Sequence, residues 1–80
     1  MIKARVTVTL KTGVLDPQGK AIEHALDGLG FAGVGQVRQG KVFDIALDTT
    51  DRTRAEAELK DMAAKLLANT VIEDFSVEVL

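Results

Sequence analysis

The first ten residues alternate between polar and apolar side chains, and this pattern constrains the fold more than any other feature. Every even position from Ile2 to Leu10 is apolar, while the odd positions between them hold lysine, arginine or threonine. Because successive side chains of a strand point to opposite faces of a sheet, this period predicts a half-buried β-strand. The chain is therefore expected to build around a sheet with one packed face and one polar face.

A helix is predicted over residues 17–29, shortly after this strand. Asp16 followed by Pro17 is typical of a helix start, where a carboxylate accepts hydrogen bonds from free amides and proline takes the first helical position. Apolar residues then recur at helical spacing up to Leu29. Gly30 is suited to the left-handed conformation that ends many helices.

Two more strands are predicted after this helix. Residues 33–39 form the second strand, and Gly40 lies where a tight hairpin turn favours glycine. The third strand follows at once, and its apolar face carries Phe43, Ile45 and Leu47.

A second helix and a last strand complete the prediction. The helix starts near Asp51, although Thr53 and Glu56 also have the spacing of a capping box. Asn69 is expected to end the helix, and residues 71–80 alternate as a strand. The predicted buried stripe of the helix consists of Leu59, Met62, Ala63 and Leu66.

The order strand, helix, strand, strand, helix, strand predicts one domain of the α+β class over residues 1–80. Right-handed crossovers place both helices on one face of a four-stranded antiparallel sheet, which is the ferredoxin-like βαββαβ arrangement. The first strand then lies between the third and the fourth. Its basic face is expected beside carboxylates of both neighbours, namely Asp44, Asp48, Asp74 and Glu78.

The small size of the chain favours self-association. It has 80 residues and no cysteine, and a domain of this size buries only about 60–65% of the surface that its unfolded chain exposes. No disulfide can reinforce such a core, so association is one of the few remaining routes to stability. We expect a homodimer formed through the helix-free face of the sheet, which also carries Val42 and Ala46. The alternative is an ordinary solvated sheet face, and the sequence leaves open whether a dimer doubles to a tetramer.

Composition excludes several classes of partner. A net charge of −2 offers no counterion-release gain on nucleic acid or on an anionic membrane. The chain also has no tyrosine and no tryptophan on which bases could stack. The alternating N-terminal residues differ from the apolar core of a signal peptide, so the expected location is cytoplasmic.

No set of residues predicts catalysis. Nucleophilic catalysis needs a nucleophile, a base and an orienting group, but the only serine is Ser76 in the last strand and the only histidine is His24 on the first helix. One histidine without cysteine is also a poor basis for a transition-metal site. We therefore predict no catalytic, metal-binding or cofactor-binding residues, and a module that works by binding.

Three stretches of the sequence together resemble a known family. The first runs from Val6 to Lys11 and on through Gly13 to Gly19 and Ala21-Ile22; the others are Val37 to Lys41 and Asn69 to Phe75. The run Leu-Asp-Pro-Gln-Gly at residues 15–19 is the most specific part, and the similarity extends over essentially the whole chain. The family is PurS, the small subunit of phosphoribosylformylglycinamidine synthase.

The resemblance implies an accessory, non-catalytic subunit in the fourth step of purine (IMP) biosynthesis. That step converts formylglycinamide ribonucleotide to formylglycinamidine ribonucleotide with ATP and glutamine. In the family the ligase chemistry belongs to a large synthetase subunit, PurL, and a glutaminase subunit, PurQ. The small subunit forms dimers, brings the two together and assists the transfer of ammonia. The complex thus uses ATP, Mg²⁺ and glutamine, none of which this chain is expected to bind.

Polar residues in turns are the candidate contacts with these partners. They comprise Lys11, Asp16, Pro17, Gln18, Gly19, Arg38, Gly40 and Lys41. Each also has a plain structural interpretation, as a helix start, a turn glycine or a solvated surface residue.

Two other classes of function remain open at this point. One is a dimeric ligand-sensing regulatory domain of the same topology. The other is an RNA-recognition module, which would need stacking aromatic residues in its third strand, where this chain offers only Phe43.

Overall fold

The computed structural model describes residues 1–80 and consists of one antiparallel sheet and two helices. The strands are β1 (Ile2–Leu10), β2 (Gly40–Leu47) and β3 (Glu73–Val79). The helices are α1 (Pro17–Gly28) and α2 (Arg52–Met62), and a π-helical turn, Ala63–Leu67, continues α2. The sheet order is β2-β1-β3, which confirms that the first strand lies in the centre.

The polar face of the sheet carries the predicted charge pairs across its strands. Arg5 lies opposite Asp44 of β2 and Glu78 of β3, and its Nε donates to Asp44 Oδ1 over 2.8 Å. Lys11 Nζ lies 3.7 Å from Asp74 Oδ1. These contacts confirm the predicted positions of Asp44, Asp74 and Glu78 beside the basic face of β1, where cross-strand pairs of opposite charge stabilise a sheet modestly. Asp48 lies beyond the end of β2, and its predicted place beside β1 is wrong.

The core lies between the other face of the sheet and α2. Val6 and Val8 of β1 are fully buried against Leu59 and Ala63. α2 packs over β3 and β1. The apolar residues of β2 pack at the margin of this core and stay partly exposed; they are Phe43, Ile45 and Leu47.

The sheet has three strands instead of the predicted four, so the ferredoxin-like arrangement is incomplete in this chain. Residues 33–39 form no strand, because the backbone N–H of Gln39 donates to the side chain of Asp16 and no sheet neighbour faces the residues before it. Gly40 does not form the predicted hairpin turn. It has no positive φ and is the first residue of β2.

The end of the second helix also differs from the prediction. Ala68 N donates to Ala63 O over 2.9 Å, which is the i to i+5 bond of a π-helix. The extra residue in this turn shifts the following side chains by one position. Leu66 is therefore 83% exposed, and Leu67 packs against the core in its place.

Asn69 does not end this helix. The C-cap is Ala68, whose backbone is extended. The Oδ1 of Asn69 instead accepts a hydrogen bond from Val71 N over 3.2 Å and shapes the turn that leads into β3.

α1 does not lie on the sheet as the ferredoxin-like topology predicts. Its only buried residue is Gly19, and with residues 29–38 it forms a projection that we call the arm (residues 17–38). Gly30, with φ +92°, ends the helix as predicted. The radius of gyration is 16.0 Å, whereas a compact chain of this length has about 12 Å. The chain is therefore elongated.

Neither α1 nor α2 has the length and the apolar composition that crossing a membrane requires.

Candidate partner interface

Asp16 joins the start of α1 to the chain that enters β2. Its Oδ1 accepts from Gly19 N over 2.9 Å, as the predicted N-cap does, and its Oδ2 accepts from Gln39 N over 2.8 Å. The hydrogen bond from Gly19, and then that from Gln39, hold the pKa of this carboxyl below its usual value because both stabilise the charged form. One side chain therefore fixes the relative position of two loops.

Gly19 is required at its position by close backbone contact. A Cβ at this residue would overlap the carbonyl oxygen of Val37 and the carboxylate of Asp16. Gly40 is in a similar position, since a Cβ there would press on the carbonyl of Val8. Both glycines let main chains approach more closely than any side chain would permit.

Arg38 is bound to the end of β1. Its guanidinium donates to the carbonyl of Leu10 over 2.8 Å and to that of Lys11 over 3.1 Å. Both carbonyls lie beyond the last pair of β1 with β2, which joins Thr9 to Gly40, and the carbonyl of Lys11 also accepts from Val14 N over 3.0 Å. Arg38 therefore has a structural role, which the sequence left open.

A cleft of about 180 Å³ lies between the start of α1 and the start of β2. Five of the candidate residues line it, namely Asp16, Pro17, Gln18, Gly40 and Lys41. The Nζ of Lys41 lies 3.8 Å from Glu73 Oε2 at the edge of this cleft. The structure thus brings the two predicted segments together at one end of the sheet.

Glu73 is a member of this cleft that the sequence analysis missed. Its side chain is only 13% exposed, and its Oε1 accepts from Asn69 N over 2.7 Å. The signal was available in the alternation of β3, because Glu73 stands in register with Phe75 and Val77 on the apolar face. A carboxylate at an apolar position indicates a specific partner.

A second cleft, of about 290 Å³, lies on the other side of Asp16. Arg38 lines it together with Lys20 and Glu23 of α1. The Oε2 of Glu23 is buried and accepts no hydrogen bond, although Lys20 Nζ lies 3.4 Å away. Glu23 was not predicted as a site residue, and no pattern in the sequence distinguishes it.

The remaining candidates for chemistry lie apart from both clefts. His24 is exposed on α1 and Ser76 is exposed on the polar face of the sheet, and neither lines a cleft. No three histidine, cysteine, aspartate or glutamate side chains are grouped closely enough to hold a metal ion. What the arrangement offers is a fixed polar surface built from main chain and charged side chains, suited to contact with another protein.

Fold and site together define a small α+β binding module with its polar turn residues gathered at one end of the sheet. The family model described as "PurS: Phosphoribosylformylglycinamidine (FGAM) synthase" matches residues 3–80. The chain therefore belongs to the PurS family.

Relatives of known identity agree with this assignment. The chain is 47% identical over 79 residues to the phosphoribosylformylglycinamidine synthase subunit PurS of Bacillus subtilis, covering 99% of this chain and 93% of that one. The structure of Methanocaldococcus jannaschii PurS matches with a TM-score of 0.90 at 41% identity, over 100% of this chain and 96% of that chain. A chain in the structure of PurLQS from Thermotoga maritima matches with a TM-score of 0.90 at 28% identity, over 99% and 96%.

Proposed function

We propose that this chain joins the large synthetase subunit, PurL, to the glutaminase subunit, PurQ, and so assists the transfer of ammonia between them. As a member of its family, the chain is an accessory subunit of phosphoribosylformylglycinamidine synthase in purine biosynthesis. The observation that carries the bridging role is the match of nearly the whole chain to one in the Thermotoga maritima PurLQS structure. A bridge acts by raising effective concentration and by keeping a reactive intermediate away from water.

The proposed contact surface is the end of the sheet where the two clefts meet. Gln18 and Lys41 are exposed there, and the main chain around them is held in place by Asp16 and Arg38. We assign direct contacts to Gln18, Lys41, Lys11 and Pro17. Gly19, Gly40, Asp16 and Arg38 act by shaping the surface.

The complex uses ATP, Mg²⁺ and glutamine, and the proposal assigns their binding to the two larger subunits. This chain acts as a homodimer, and two dimers associate where a tetramer forms. The complex works in the cytoplasm, without nucleic acid or membrane as a partner.

Reconstitution tests the bridging role. Purified synthetase and glutaminase are assayed with and without this chain, once with glutamine and once with ammonium as nitrogen donor. The chain is expected to raise glutamine-dependent turnover strongly and ammonium-dependent turnover little, because free ammonia needs no transfer between subunits. An equal effect on both donors, or no effect on either, would reject the proposal.

Charge reversal at Lys41 tests the proposed surface. Lys41→Glu places a second carboxylate near Glu73. Lys65→Glu is the control, because Lys65 Nζ lies 2.9 Å from Asp61 Oδ2 and the substitution likewise places a second carboxylate beside the first. We expect at least tenfold weaker assembly for Lys41→Glu and little change for Lys65→Glu, measured by titration of labelled chain into the two larger subunits. Equal affinities of the two variants would show that the contact surface lies elsewhere on the chain.

A further inference from the structure

Glu23 of α1 is a charged side chain that is largely buried and has no hydrogen-bonding role in the fold. Only 17% of the side chain is exposed, and its Oε2 is buried yet accepts no hydrogen bond. Folded proteins satisfy nearly all buried polar atoms, because an ionised oxygen removed from water without a donor is unfavourable. A buried carboxylate oxygen that no group of the chain satisfies therefore points to a donor from another molecule.

Lys20 does not supply that donor. Its Nζ lies 3.4 Å from Glu23 Oε2, but the two atoms form no hydrogen bond. The lysine side chain is 68% exposed, and an exposed ion pair of this kind contributes little to stability. Lys20 is therefore free to turn towards water when a better donor approaches the carboxylate.

The cleft beside Glu23 also has main-chain acceptors to offer. It has a volume of about 290 Å³ and lies between the start of α1, the loop after β1 and the end of the arm. Five residues that line it have carbonyl groups that accept no backbone hydrogen bond, namely Gly13, Val14, Leu15, Gln36 and Val37. The cleft thus combines an unsatisfied carboxylate with free main-chain carbonyls.

This set of acceptors suits a guanidinium better than an anion or a free ammonium ion. The carboxylate of Glu23 would repel an anion. An ammonium ion is about the size of one water molecule, which needs about 10–15 Å³, so it would stay surrounded by water in a cleft of about 290 Å³. An arginine has five N–H donors in one plane and binds a carboxylate through two of them. The other three donors then remain for main-chain carbonyls.

A second copy of this chain has no free arginine to place in the cleft. The chain contains four arginines, and each already donates a hydrogen bond within it, namely Arg5, Arg38, Arg52 and Arg54. The cleft also adjoins the cleft of Lys41, because Asp16 lines both. It is therefore part of the proposed contact surface with the larger subunits.

We propose that this cleft receives an arginine side chain of one of the two larger subunits and that Glu23 is the carboxylate that binds it. This inference rests on the proposed function and adds the chemistry by which the contact surface recognises its partner. Asp16 holds the walls of the cleft together by accepting from Gly19 N and Gln39 N. A site that is formed before the partner arrives loses less conformational freedom on binding.

Glu23→Gln tests the proposal, because it removes the charge and keeps the size of the side chain. Labelled native and substituted chains are titrated into the purified synthetase and glutaminase, and Glu23→Gln should raise the dissociation constant at least tenfold. Glu56→Gln is the matched control, since Glu56 also pairs with a lysine of its own helix, with Lys60 Nζ 3.2 Å from its Oε1. The control should leave the affinity unchanged.

Two further measurements separate recognition of a partner from a role in folding. Glu23→Gln should leave the urea midpoint of the isolated chain unchanged or raise it, because it removes a buried charge without a hydrogen bond. Lys20→Gln should leave the affinity unchanged or strengthen it, because it removes a positive charge beside the incoming arginine. A lower urea midpoint for Glu23→Gln, or equal loss of affinity in both variants, would show that Glu23 acts through Lys20 and would overturn the proposal.

Charge exchange identifies the arginine. Each exposed arginine of the two larger subunits is replaced by glutamate, and one of these variants should bind the native chain at least tenfold more weakly. Glu23→Lys should restore the affinity of that variant and of no other. Absence of any restored pair would overturn the proposal.

The outcomes also distinguish this inference from the bridging role. A native chain that assembles and raises glutamine-dependent turnover, while Glu23→Gln binds equally well, would overturn the inference and leave the bridge intact. A native chain that does not assemble would reject the bridge and the inference with it. Weaker self-association of Glu23→Gln in sedimentation, with unchanged affinity for the larger subunits, would show that a second copy fills the cleft and would overturn the choice of partner.

Discussion

The organisation of the partner surface depends on a few residues whose roles are set by close contact. Asp16 is the clearest, because its two carboxylate oxygens accept hydrogen bonds from two separate segments. The sequence indicated the first contact, since Asp16-Pro17 is a recognisable helix start. It could not indicate the second, with Gln39, because a contact between residues 23 positions apart has no local signature. The same holds for Arg38 and the end of β1.

Acidification should break the hydrogen bonds that Asp16 accepts from Gly19 and Gln39. The native hydrogen bonds hold the pKa of Asp16 below its usual value, which is about 3.9 in an unfolded chain. A carboxyl with a lowered native pKa stabilises the fold fully above the unfolded pKa and loses that contribution as pH falls through the native pKa. NMR signals of the Gly19 and Gln39 amides should therefore stay constant from about pH 7 to pH 5 and titrate together below about pH 3.9. A midpoint above that value, or movement of only one amide, would contradict the double contact.

Gly19 provides a second test at this scale. In most helices Gly to Ala stabilises by about 1 kcal/mol, but at Gly19 the new Cβ would overlap Val37 O. We expect Gly19→Ala to lower the free energy of unfolding by roughly 1–3 kcal/mol, as overpacking does. Gly28→Ala is the matched control in the same helix, because nothing lies within 4 Å of its Cβ position, and it should be neutral or stabilising. Urea unfolding measures both, and equal effects would contradict the close contact.

At the scale of elements, the sequence correctly predicted the features that depend on residues close together in the chain, and also the order of the strands around β1. The alternation of β1, the start of α1 and the central place of β1 are all as expected. The second strand was wrong, because Val34 and Val37 fit a strand pattern but no neighbour within the chain pairs with them. Strand formation depends on a partner, and a single sequence does not show where that partner lies.

The predicted end of α2 was wrong for a different reason. A helical pattern assumes a constant period, whereas the π-turn at Ala63–Leu67 inserts one residue and changes which side faces the core. Leu59 and Leu66 were both predicted to be buried, yet the first is fully buried and the second is 83% exposed.

Substitution of Leu59 and of Leu66 by alanine tests whether the π-turn changes which side of the helix faces the core. Leu59→Ala should lower the free energy of unfolding by about 2–5 kcal/mol, because it leaves a cavity in the core. Leu66→Ala should change it by less than about 0.5 kcal/mol, as exposed substitutions usually do. Chemical denaturation of both variants at one protein concentration gives the comparison. A loss at Leu66 as large as that at Leu59 would mean that the helix continues with a regular period.

At the scale of the molecule, the small core and the elongated shape have the same origin, because the arm projects from the sheet and does not pack on it. Only eight apolar residues are buried, and the arm contributes none of them. A chain that projects a helix with an exposed apolar side gains little stability from that helix alone, since most helical stability in proteins comes from packing. The fold of one copy therefore leaves much of its available apolar burial unused.

The exposed apolar side of the arm predicts that the melting temperature depends on protein concentration. If a second copy supplies the missing burial, folding and association are linked, and each tenfold rise in concentration adds about 1.4 kcal/mol to the apparent stability. For a domain of this size that is a rise of several degrees. Ile22→Glu should flatten the dependence, because it places a charge on the exposed apolar side of α1 while Ile22 is already 39% exposed in the single copy. Calorimetry over a hundredfold range of concentration measures both proteins. A melting temperature of the unsubstituted chain that stays constant over that range would show that the arm is stable uncovered, and that the elongated single copy is the folded unit.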